Sequence, residues 1–293
     1  MLPEDFLERF RRTVPFQGDP SELFIAKKFK SFRVNTLKTT GVEIFTQLRS
    51  IDVIFQEVPW YQDAFIVNIK DAPQILASTL ITQGMVYAQG LESMLAPIVL
   101  GPKPTWQVLD LCAAPGSKTT QIAALMKNQG IIYANEPVRD RFFRLKAVVE
   151  LLGANVKLTS KDGRSFRGDG AFDGILVDVP CSSEGRFCTD KPKSYAFWSV
   201  HKVHEMAHKQ KGLLLNASRL LKKGGTLVYA TCTFGKEENE DVVDWFLQKM
   251  EGQFKLQPID LKGISIYPSS LPLCVRVMPG ELMEGFFLAK FSS

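Results

Sequence analysis

Apolar and polar positions alternate over the C-terminal two thirds of the chain in the manner of successive strands and helices. Short apolar runs that end on a polar residue indicate buried strands, whereas apolar positions every three or four residues indicate amphipathic helices. Regular alternation of the two predicts a parallel sheet with helices on both faces. The predicted strands are 106–112, 131–136, 156–160, 172–179, 226–232, 254–259 and 285–291, and the predicted helices are 117–126, 138–152, 200–222 and 237–250.

The first part of the chain has a less regular pattern, which predicts a small α+β segment. Glycine and proline at 101–104 are typical of a connection between domains, so we expect a boundary between about residues 75 and 105. We therefore assign residues 1–85 to an N-terminal α+β domain and residues 86–293 to the main α/β domain. The predicted elements here are helices at 4–12, 41–50 and 85–98, the last ending near Pro97, a strand at 32–37 and strand material over 53–69.

Composition excludes several classes of protein. The 293 residues are 45% hydrophobic, and no apolar run approaches the ~20 residues of a membrane span. The acids near the N-terminus argue against a signal peptide. Five cysteines without a C-x-x-C pair argue against a disulfide scaffold or a zinc finger, and favour the reducing cytoplasm. The net charge of +5 permits an anionic partner without requiring one.

Polar residues follow the ends of the predicted strands. An apolar run ends at Asp178, and Pro180 and the thiol of Cys181 come directly after it. Parallel strands present their carboxyl ends at one edge of a sheet, where ligands bind. Further polar groups follow the other strands, namely the loop from Cys112 to Lys118, Glu136, Asp162, Thr231 and Cys232. This concentration of chemistry exceeds what packing requires and predicts a binding site.

The loop C-A-A-P-G-S-K-T indicates the kind of ligand. Its small residues permit close approach of the backbone, and the helix that begins near Ser117 presents free N–H groups. A phosphate-binding loop is excluded because Cys112 and Ser117 stand where glycines are required, and Gly116 alone does not make a dinucleotide fingerprint. Glu136 has the placement of an acid that accepts hydrogen bonds from a ribose diol. Together these residues predict a nucleoside ligand without a pyrophosphate.

Three stretches of the sequence resemble the motifs of one particular enzyme family. L-D-L-C-A-A-P-G-S-K-T, V-D-V-P-C-S-S-E-G-R and Y-A-T-C-T-F-G-K-E-E-N-E resemble the cofactor loop, the Pro-Cys motif and the Thr-Cys motif of the RNA cytosine-C5 methyltransferases, the NOL1/NOP2/Sun family that includes RsmB and RsmF. The match extends to F-R-V-N-T-L-K and to R-V-M-P with G-F-F-L-A, and so covers nearly the whole chain. DNA cytosine methyltransferases are less similar because they lack the Thr-Cys thiol. Ser183 departs from the pattern, since the family more often has glycine there.

The resemblance implies a fold, a cofactor and a reaction. The fold would be α/β, a Rossmann-like S-adenosylmethionine-dependent methyltransferase sheet, mostly parallel with an antiparallel last strand, beside a small N-terminal α+β domain. The reaction would form 5-methylcytosine in structured RNA through a covalent Cys–C6 adduct. The residues implied to bind S-adenosylmethionine are Cys112, Ala113, Ala114, Pro115, Gly116, Ser117, Lys118, Glu136, Asp162 and Asp178.

The chemistry accounts for the residue types. C5 of cytosine is a poor nucleophile, and a thiolate that adds to C6 turns the ring into an enamine that attacks a methyl group. By resemblance Cys232 is that nucleophile, and Cys181 assists the elimination that removes H5. Asp178 is the candidate to stabilise charge that develops at N3. Lys118 is expected to hold Asp178, because a cation at a helix start opposes the helix dipole and requires a reason.

The substrate would be ribosomal or transfer RNA with the target cytosine flipped or single-stranded, because a buried thiol cannot reach a stacked base. The residues expected to bind RNA phosphates are Arg33, Lys38, Arg164, Arg186, Lys191 and Lys193. The basic stretch 23–40 is either a solvated charged face or a surface that follows a phosphate backbone. The last strand lies close to the chain end, so we expect target choice to come from the core, the N-terminal segment or a partner. We further expect a cytoplasmic monomer without a metal. The identity of the RNA and of the cytosine does not follow from the sequence.

Two other functions compete with this interpretation. H-E-M-A-H at 204–208 fits the H-E-x-x-H zinc signature on a predicted helix, with His201 one turn earlier. Against it, that helix lies between two sheet strands, Lys211 stands where an extended signature has glycine, and neighbouring lysines indicate a solvated face. The second alternative is an RNA-binding module that has lost catalysis. It is disfavoured because both thiols, Asp178 and the cofactor loop are intact.

Overall fold

The computed structural model describes the backbone of residues 1–293 and the side chains of all residues other than Pro268. A four-stranded antiparallel sheet forms the first part of the chain, in the order β2-β3-β1-β4. Thr40 and Glu43 form a capping box that starts its main helix. The elements are α1 (Glu4–Thr13), β1 (Phe29–Val34), α2 (Gly41–Ser50), β2 (Phe55–Glu57), β3 (Ala64–Asn68), α3 (Ala72–Leu76), α4 (Thr79–Thr82) and β4 (Val86–Ala88).

A nine-stranded sheet forms the rest of the chain. Its elements are α5 (Leu91–Leu100), β5 (Gln107–Asp110), α6 (Ser117–Leu125), β6 (Ile131–Asn135), α7 (Arg139–Leu152), β7 (Lys157–Thr159), β8 (Phe172–Asp178), α8 (Val200–Leu220), β9 (Leu221–Thr231), α9 (Glu240–Lys249), β10 (Lys255–Gln257), β11 (Ile266–Pro268), β12 (Val275–Val277) and β13 (Phe286–Ser292).

The order of the strands, β11-β12-β13-β9-β8-β5-β6-β7, creates the binding edge. The five strands from β9 to β7 are parallel, whereas β13 runs antiparallel to β9, as the family resemblance implies. The chain leaves β5 toward β6 and β7, and then returns to place β8 and β9 on the other side. Such a switch point opens a crevice at the carboxyl ends of the strands. The loop after β5 and Asp178 at the end of β8 therefore meet.

Burial on both faces explains the apolar runs. Ile175, Leu176 and Val177 of β8 are fully buried, because α8 and α9 cover one face of the sheet and α5 and α6 the other. A strand buried on both faces reads as a continuous apolar run rather than an alternating one. The predicted α/β class with a mostly parallel sheet is confirmed.

Several predicted elements differ from the structure. Residues 85–98 do not form one helix: β4 pairs with β1, and α5 then continues past Pro97 to Leu100, where Gly101 ends it in the left-handed conformation. The predicted strand at 32–37 starts earlier and ends at Val34, because the Asn35 amide turns to bond backbone carbonyls of Gly84 and Leu152. The three-residue strands β11 and β12 are too short for a periodic signal.

The expected boundary between residues 85 and 86 stays a prediction, and the N-terminal sheet extends just beyond it to Ala88. In the described part of the chain, none of the helices combines the length and the apolar character needed to cross a bilayer.

Candidate active site

A cavity of about 820 Å³ lies at the predicted edge of the large sheet, facing the N-terminal sheet. Its floor is made by the ends of β5, β8 and β9, and β4 with the segment before β1 supplies the facing wall. The predicted residues that line it are Cys112, Ala113, Ala114, Pro115, Ser117, Lys118, Asp178, Cys181, Arg186, Lys191 and Cys232.

The two motif cysteines meet inside this cavity. The Sγ atoms of Cys181 and Cys232 lie 3.1 Å apart, although the residues are 51 positions apart in the chain. The Ser183 hydroxyl lies 3.7 Å from the Cys232 sulfur. Ser183 has a φ of +63°, in the left-handed region that favours glycine. Its hydroxyl contact with the nucleophile candidate is something that glycine would not supply.

The contact between the two thiols shifts their pKa values in opposite directions. A hydrogen bond from the Cys181 thiol, aided by the nearby Arg186 cation, lowers the pKa of Cys232. The same bond, together with burial, raises the pKa of Cys181 well above its usual range. In return, the charge at Cys232 raises the pKa of Arg186. Because the thiolate is the reactive form of cysteine, the lowered pKa of Cys232 agrees with its predicted role as nucleophile, and the roles of both cysteines stay predictions.

Asp178 and Lys118 form an ion pair beside the thiols. The Lys118 Nζ donates to Asp178 Oδ2 at 2.7 Å. Burial disfavours the ammonium, but Asp178 outweighs that effect and the pKa of Lys118 is raised. Asp110, which the sequence analysis did not select, lies close by. Its Oδ2 accepts from Thr119 at 2.7 Å, whereas its buried Oδ1 has no partner among the described residues. Burial raises the pKa of Asp110 to about 7.

A buried carboxylate joins the two cysteine loops. Glu184 follows the Pro-Cys motif and is 1% exposed. Its carboxylate accepts from the Trp198 indole at 3.0 Å and from the Thr233 hydroxyl at 2.8 Å. It also accepts from the backbone N–H groups of Phe234 and Gly235, at 3.0 and 2.6 Å. The segment after Cys232 is therefore fixed to the segment after Cys181.

A second carboxylate, on the segment after Cys232, binds the segment after Cys181. Glu238, after the Thr-Cys motif, accepts from the backbone N–H of Ser182 at 3.0 Å and from the Gln210 amide at 2.7 Å. The hydroxyls of Ser182 and Thr233 also share a hydrogen bond of 2.6 Å. Burial raises the pKa of Glu238 to about 8. We call the pair Glu184 and Glu238 the carboxylate clasp.

A backbone contact between the clasped loops explains one glycine of the motif. The Gly185 N–H donates to the Cys232 carbonyl at 2.9 Å, and its own carbonyl accepts from Gly285 N–H at 2.9 Å. A Cβ at Gly185 would lie 2.2 Å from the Gly285 carbonyl oxygen. Only glycine permits the loop before β13 to pack this closely against the cysteine loops.

The cofactor loop fits a nucleoside-bearing ligand. Gly116 has a φ of +110°, and a Cβ there would press on Leu145 and Val148 of α7, so glycine lets α6 begin packed against α7. The first residues of α6, Ser117 and Lys118, line the cavity. Glu136 is buried, and its Oε1 accepts from Val138 N–H at 2.9 Å. Its Oε2 has no hydrogen-bond partner among the described residues and lies 3.3 Å from Arg141. An orphaned buried carboxylate oxygen suits a ligand hydroxyl.

Some predicted residues lie elsewhere. Arg33 is fully buried and donates to Gln89 and Thr120, so its predicted role as an exposed RNA-phosphate ligand is wrong. Lys38 donates to the carbonyls of residues 83 and 151, where it serves the fold. Asp162 and Arg164 bond each other with a shortest contact of 2.6 Å. Asp162, Gly116 and Glu136 lie outside the cavity lining, as does Lys193, and their predicted binding roles stay predictions.

The H-E-M-A-H segment lies on α8 with His201, His204 and His208 exposed to solvent. Glu205 between them bonds Lys202 and Lys209, and these hydrogen bonds lower its pKa to about 2. Among the described residues, no three His, Cys, Asp or Glu side chains are grouped as metal ligands.

The geometry and the fold define a class, the Rossmann-like methyltransferases. The sequence profile of the family described as 16S rRNA methyltransferase RsmB/F matches residues 97–292. The chain belongs to this family, and the resemblance found in the sequence is confirmed.

Curated relatives and solved structures agree with this membership. The chain is 38% identical to a tRNA (cytosine(49)-C(5))-methyltransferase of Pyrococcus abyssi, over 93% of this chain and 92% of that protein. It is 38% identical to ribosomal RNA small subunit methyltransferase F of Shewanella loihica, over 82% of this chain but 52% of the relative. The chain thus spans about half the length of that relative.

Two solved structures share the fold. The structure of PH0851 superposes with a TM-score of 0.87 at 34% identity, covering 100% of this chain and 66% of that one. A methyltransferase homolog from Pyrococcus horikoshii superposes with a TM-score of 0.78 at 27% identity, over 99% of both chains.

The Arg186 cation should promote formation of the Cys232 thiolate. We predict that Arg186→Gln raises the pKa of Cys232, so that iodoacetamide alkylates this thiol several-fold more slowly at pH 7 than in the wild type. Peptide mass spectrometry over a pH series measures the rate, and Arg219→Gln, at the far end of α8, is the control. An unchanged pH profile would show that the cation does not act on this thiol.

Burial of Glu238 should make stability depend on pH. Its folded pKa is raised from 4.5 to about 8, so its contribution is fully present below pH 4.5 and is lost as pH rises through 8. We predict that Glu238→Gln, which resembles the neutral acid, weakens the fall in unfolding free energy over this range, by up to about 1.4 kcal/mol per pH unit. Urea unfolding at several pH values tests this, and parallel curves for the two proteins would contradict it.

Proposed function

We propose that the protein is an S-adenosylmethionine-dependent RNA cytosine-C5 methyltransferase. The observation that carries the proposal is the pair of cysteines, with sulfurs 3.1 Å apart, beside the Lys118–Asp178 ion pair in a single cavity. One thiol can add to C6 and later leave it, and the second thiol is placed to act as the base that removes the C5 proton. The names of the relatives, which include a ribosomal RNA small subunit methyltransferase and a tRNA cytosine-C5 methyltransferase, support RNA as the substrate.

The residues present fit S-adenosylmethionine. The loop from Cys112 to Ser117 and the start of α6 would hold its amino acid end, and the orphaned Glu136 oxygen would accept from its ribose. When bound, this cofactor supplies an electrophilic methyl group. Asp110 has a buried oxygen without a partner among the described residues, so the cavity floor also offers an acceptor for a cationic ligand.

The chain's own residues would act on the base in order. The Cys232 thiolate forms a bond to C6, the C5–C6 π electrons are displaced toward N3, and N3 takes a proton that the Lys118 ammonium passes to it through Asp178. C5 would thereby become nucleophilic enough to accept the methyl group, whose bond to the cofactor's sulfonium sulfur would break with the electron pair staying on sulfur. Cys181 then removes the proton from C5, the electron pair re-forms the C5–C6 double bond, and the Cys232 sulfur leaves as thiolate.

The order of these steps follows from the coupling of the two thiols. Before Cys232 reacts, its sulfur accepts a hydrogen bond from the Cys181 thiol, and this bond raises the pKa of Cys181. Once Cys232 is bonded to the base, that hydrogen bond is lost, and Cys181 would become a stronger acid that releases its own proton to solvent, so that its thiolate can accept the proton from C5. The contact between the two sulfurs therefore keeps Cys181 protonated before the addition step, and loss of the contact lets Cys181 act as a base after it.

The proposal also includes a monomer in the cytoplasm that needs no metal ion. Zinc measured on the purified protein tests the last point: stoichiometric zinc that disappears in His204→Ala together with activity would favour the metalloprotein alternative. Failure to bind S-adenosylmethionine would favour an RNA-binding module.

Methyl transfer tests the proposed function directly. Purified protein, S-adenosylmethionine with a labelled methyl group, and separate small-subunit rRNA and tRNA should yield labelled 5-methylcytidine after digestion of one RNA class. Bisulfite sequencing of total RNA from a deletion strain then identifies the position. Label found only in another modified nucleoside, or in neither RNA, would contradict the proposal.

The division of labour between the cysteines gives a second test. We predict that Cys232→Ala abolishes methylation by at least about 1,000-fold because the nucleophile is lost. Cys181→Ala should instead accumulate a denaturation-resistant protein–RNA adduct, seen as a shifted band on a denaturing gel. Cys274→Ala, a buried thiol outside the cavity, is the control. A fully active Cys181 variant, or an adduct that requires Cys181 and not Cys232, would reverse the assignment.

A further inference from the structure

The first half of α7 is a helical surface that packing does not explain. The buried residues of this helix are Leu145, Val149 and Leu152, and none of them lies in its first six positions. The first turns read R-D-R-F-F-R, from Arg139 to Arg144. The Phe143 ring is 53% exposed, and the Arg139 guanidinium lies 5.8 Å from its centroid.

The charges on these turns are unfavourable for the helix itself. Cations in the first turns oppose the helix dipole, yet this stretch has three arginines and a single acid, Asp140. Arg141 pairs with Glu136 and bonds the Ala114 carbonyl at 3.0 Å, which anchors it to the cofactor loop. Arg139 and Arg144 have no acidic group within 4.0 Å in the described structure. Their charges are therefore available to an anionic ligand.

This surface is continuous with the active-site cavity. Arg141 and Arg144 both line the cavity, as does Lys30 from the N-terminal sheet. A ligand that leaves the cavity between the two parts of the molecule therefore passes along α7. Arginines around an exposed aromatic ring are the combination that binds unpaired nucleotides, through phosphate contacts and base stacking.

We infer that Arg139, Phe143 and Arg144, the α7 patch, bind the single-stranded RNA next to the target cytosine. Arg139 and Arg144 contact phosphates, and Phe143 stacks on a neighbouring unpaired base. The inference rests on the proposed function for RNA as the ligand. In this inference, the exposed arginines of α7 take the phosphate-binding role that the sequence analysis assigned to Arg33, which is buried.

Binding without catalysis tests the patch. The probe is a fluorescein-labelled 15-nucleotide unstructured RNA with one cytosine, and anisotropy gives its Kd at several salt concentrations. Arg139→Gln/Arg144→Gln should lower the salt slope by about 1.4, since each phosphate contact on a single strand contributes about 0.7. Phe143→Ala should weaken binding by about tenfold with little change in slope. The control is Arg219→Gln/Lys223→Gln, which removes the same charge from the other end of the sheet.

Steady-state kinetics separates RNA binding from cofactor binding. The patch variants should raise KM for RNA and leave kcat, KM for S-adenosylmethionine and the thermal unfolding temperature unchanged. A double variant whose salt slope equals that of the control, or a defect confined to KM for S-adenosylmethionine, would overturn the inference. Because anisotropy needs no methyl transfer, loss of affinity supports the patch even if the wild type proves inactive, and an active wild type with unaffected variants rejects the patch alone.

Discussion

The Glu184 carboxylate sets the geometry on which the reactive edge depends. It follows Cys181 by three positions, and it accepts hydrogen bonds from the three residues that follow Cys232. Four donors satisfy it in a buried site, where an unpaired charge would be costly. Two loops from adjacent strands are thereby held at one separation, and the cysteines on them come within 3.1 Å.

The carboxylate clasp also explains why the pKa values of the two thiols differ. With the sulfurs held in contact, one proton is shared between two sites, and the neighbouring Arg186 favours the charge on Cys232. Glu238 lies on the same network, but burial raises its pKa to about 8, so it adds little negative charge near the thiolate at neutral pH. Glu184 accepts from four donors, whereas burial raises the pKa of Glu238.

Much of the fold followed from the sequence because its strongest signals are local. The apolar runs of β5, β8 and β9 and the helical spacing of apolar residues in α6, α7 and α8 predict the parallel sheet directly. What sequence reasoning missed depends on distant partners: β4 is a strand because β1 lies beside it, and Arg33 is buried because α6 covers it. Basic residues near the start of the chain gave no indication of which would be exposed.

In the candidate site too, residues in recognisable motifs could be predicted, whereas residues that depend on distant partners could not. Cys181, Cys232, Asp178 and Lys118 stand in motifs and meet in one cavity as expected, although their roles still await experiment. Glu184 and Glu238 stand in the same motifs, E-G-R and K-E-E-N-E, yet nothing in a single sequence distinguishes a buried, four-fold bonded acid from a solvated one. Asp110 had a clearer signal, since it ends the strand before the cofactor loop as Asp178 ends its own strand.

The most direct test of the clasp is whether the two thiols stay close without it. Phenylarsine oxide bridges two thiols only when they are adjacent, and peptide mapping identifies the bridged pair. We predict that the wild type takes up one equivalent across Cys181 and Cys232, and that folded Glu184→Ala loses this bridge while each thiol alone still reacts with iodoacetamide. Bridging at the wild-type rate in folded Glu184→Ala would contradict the account.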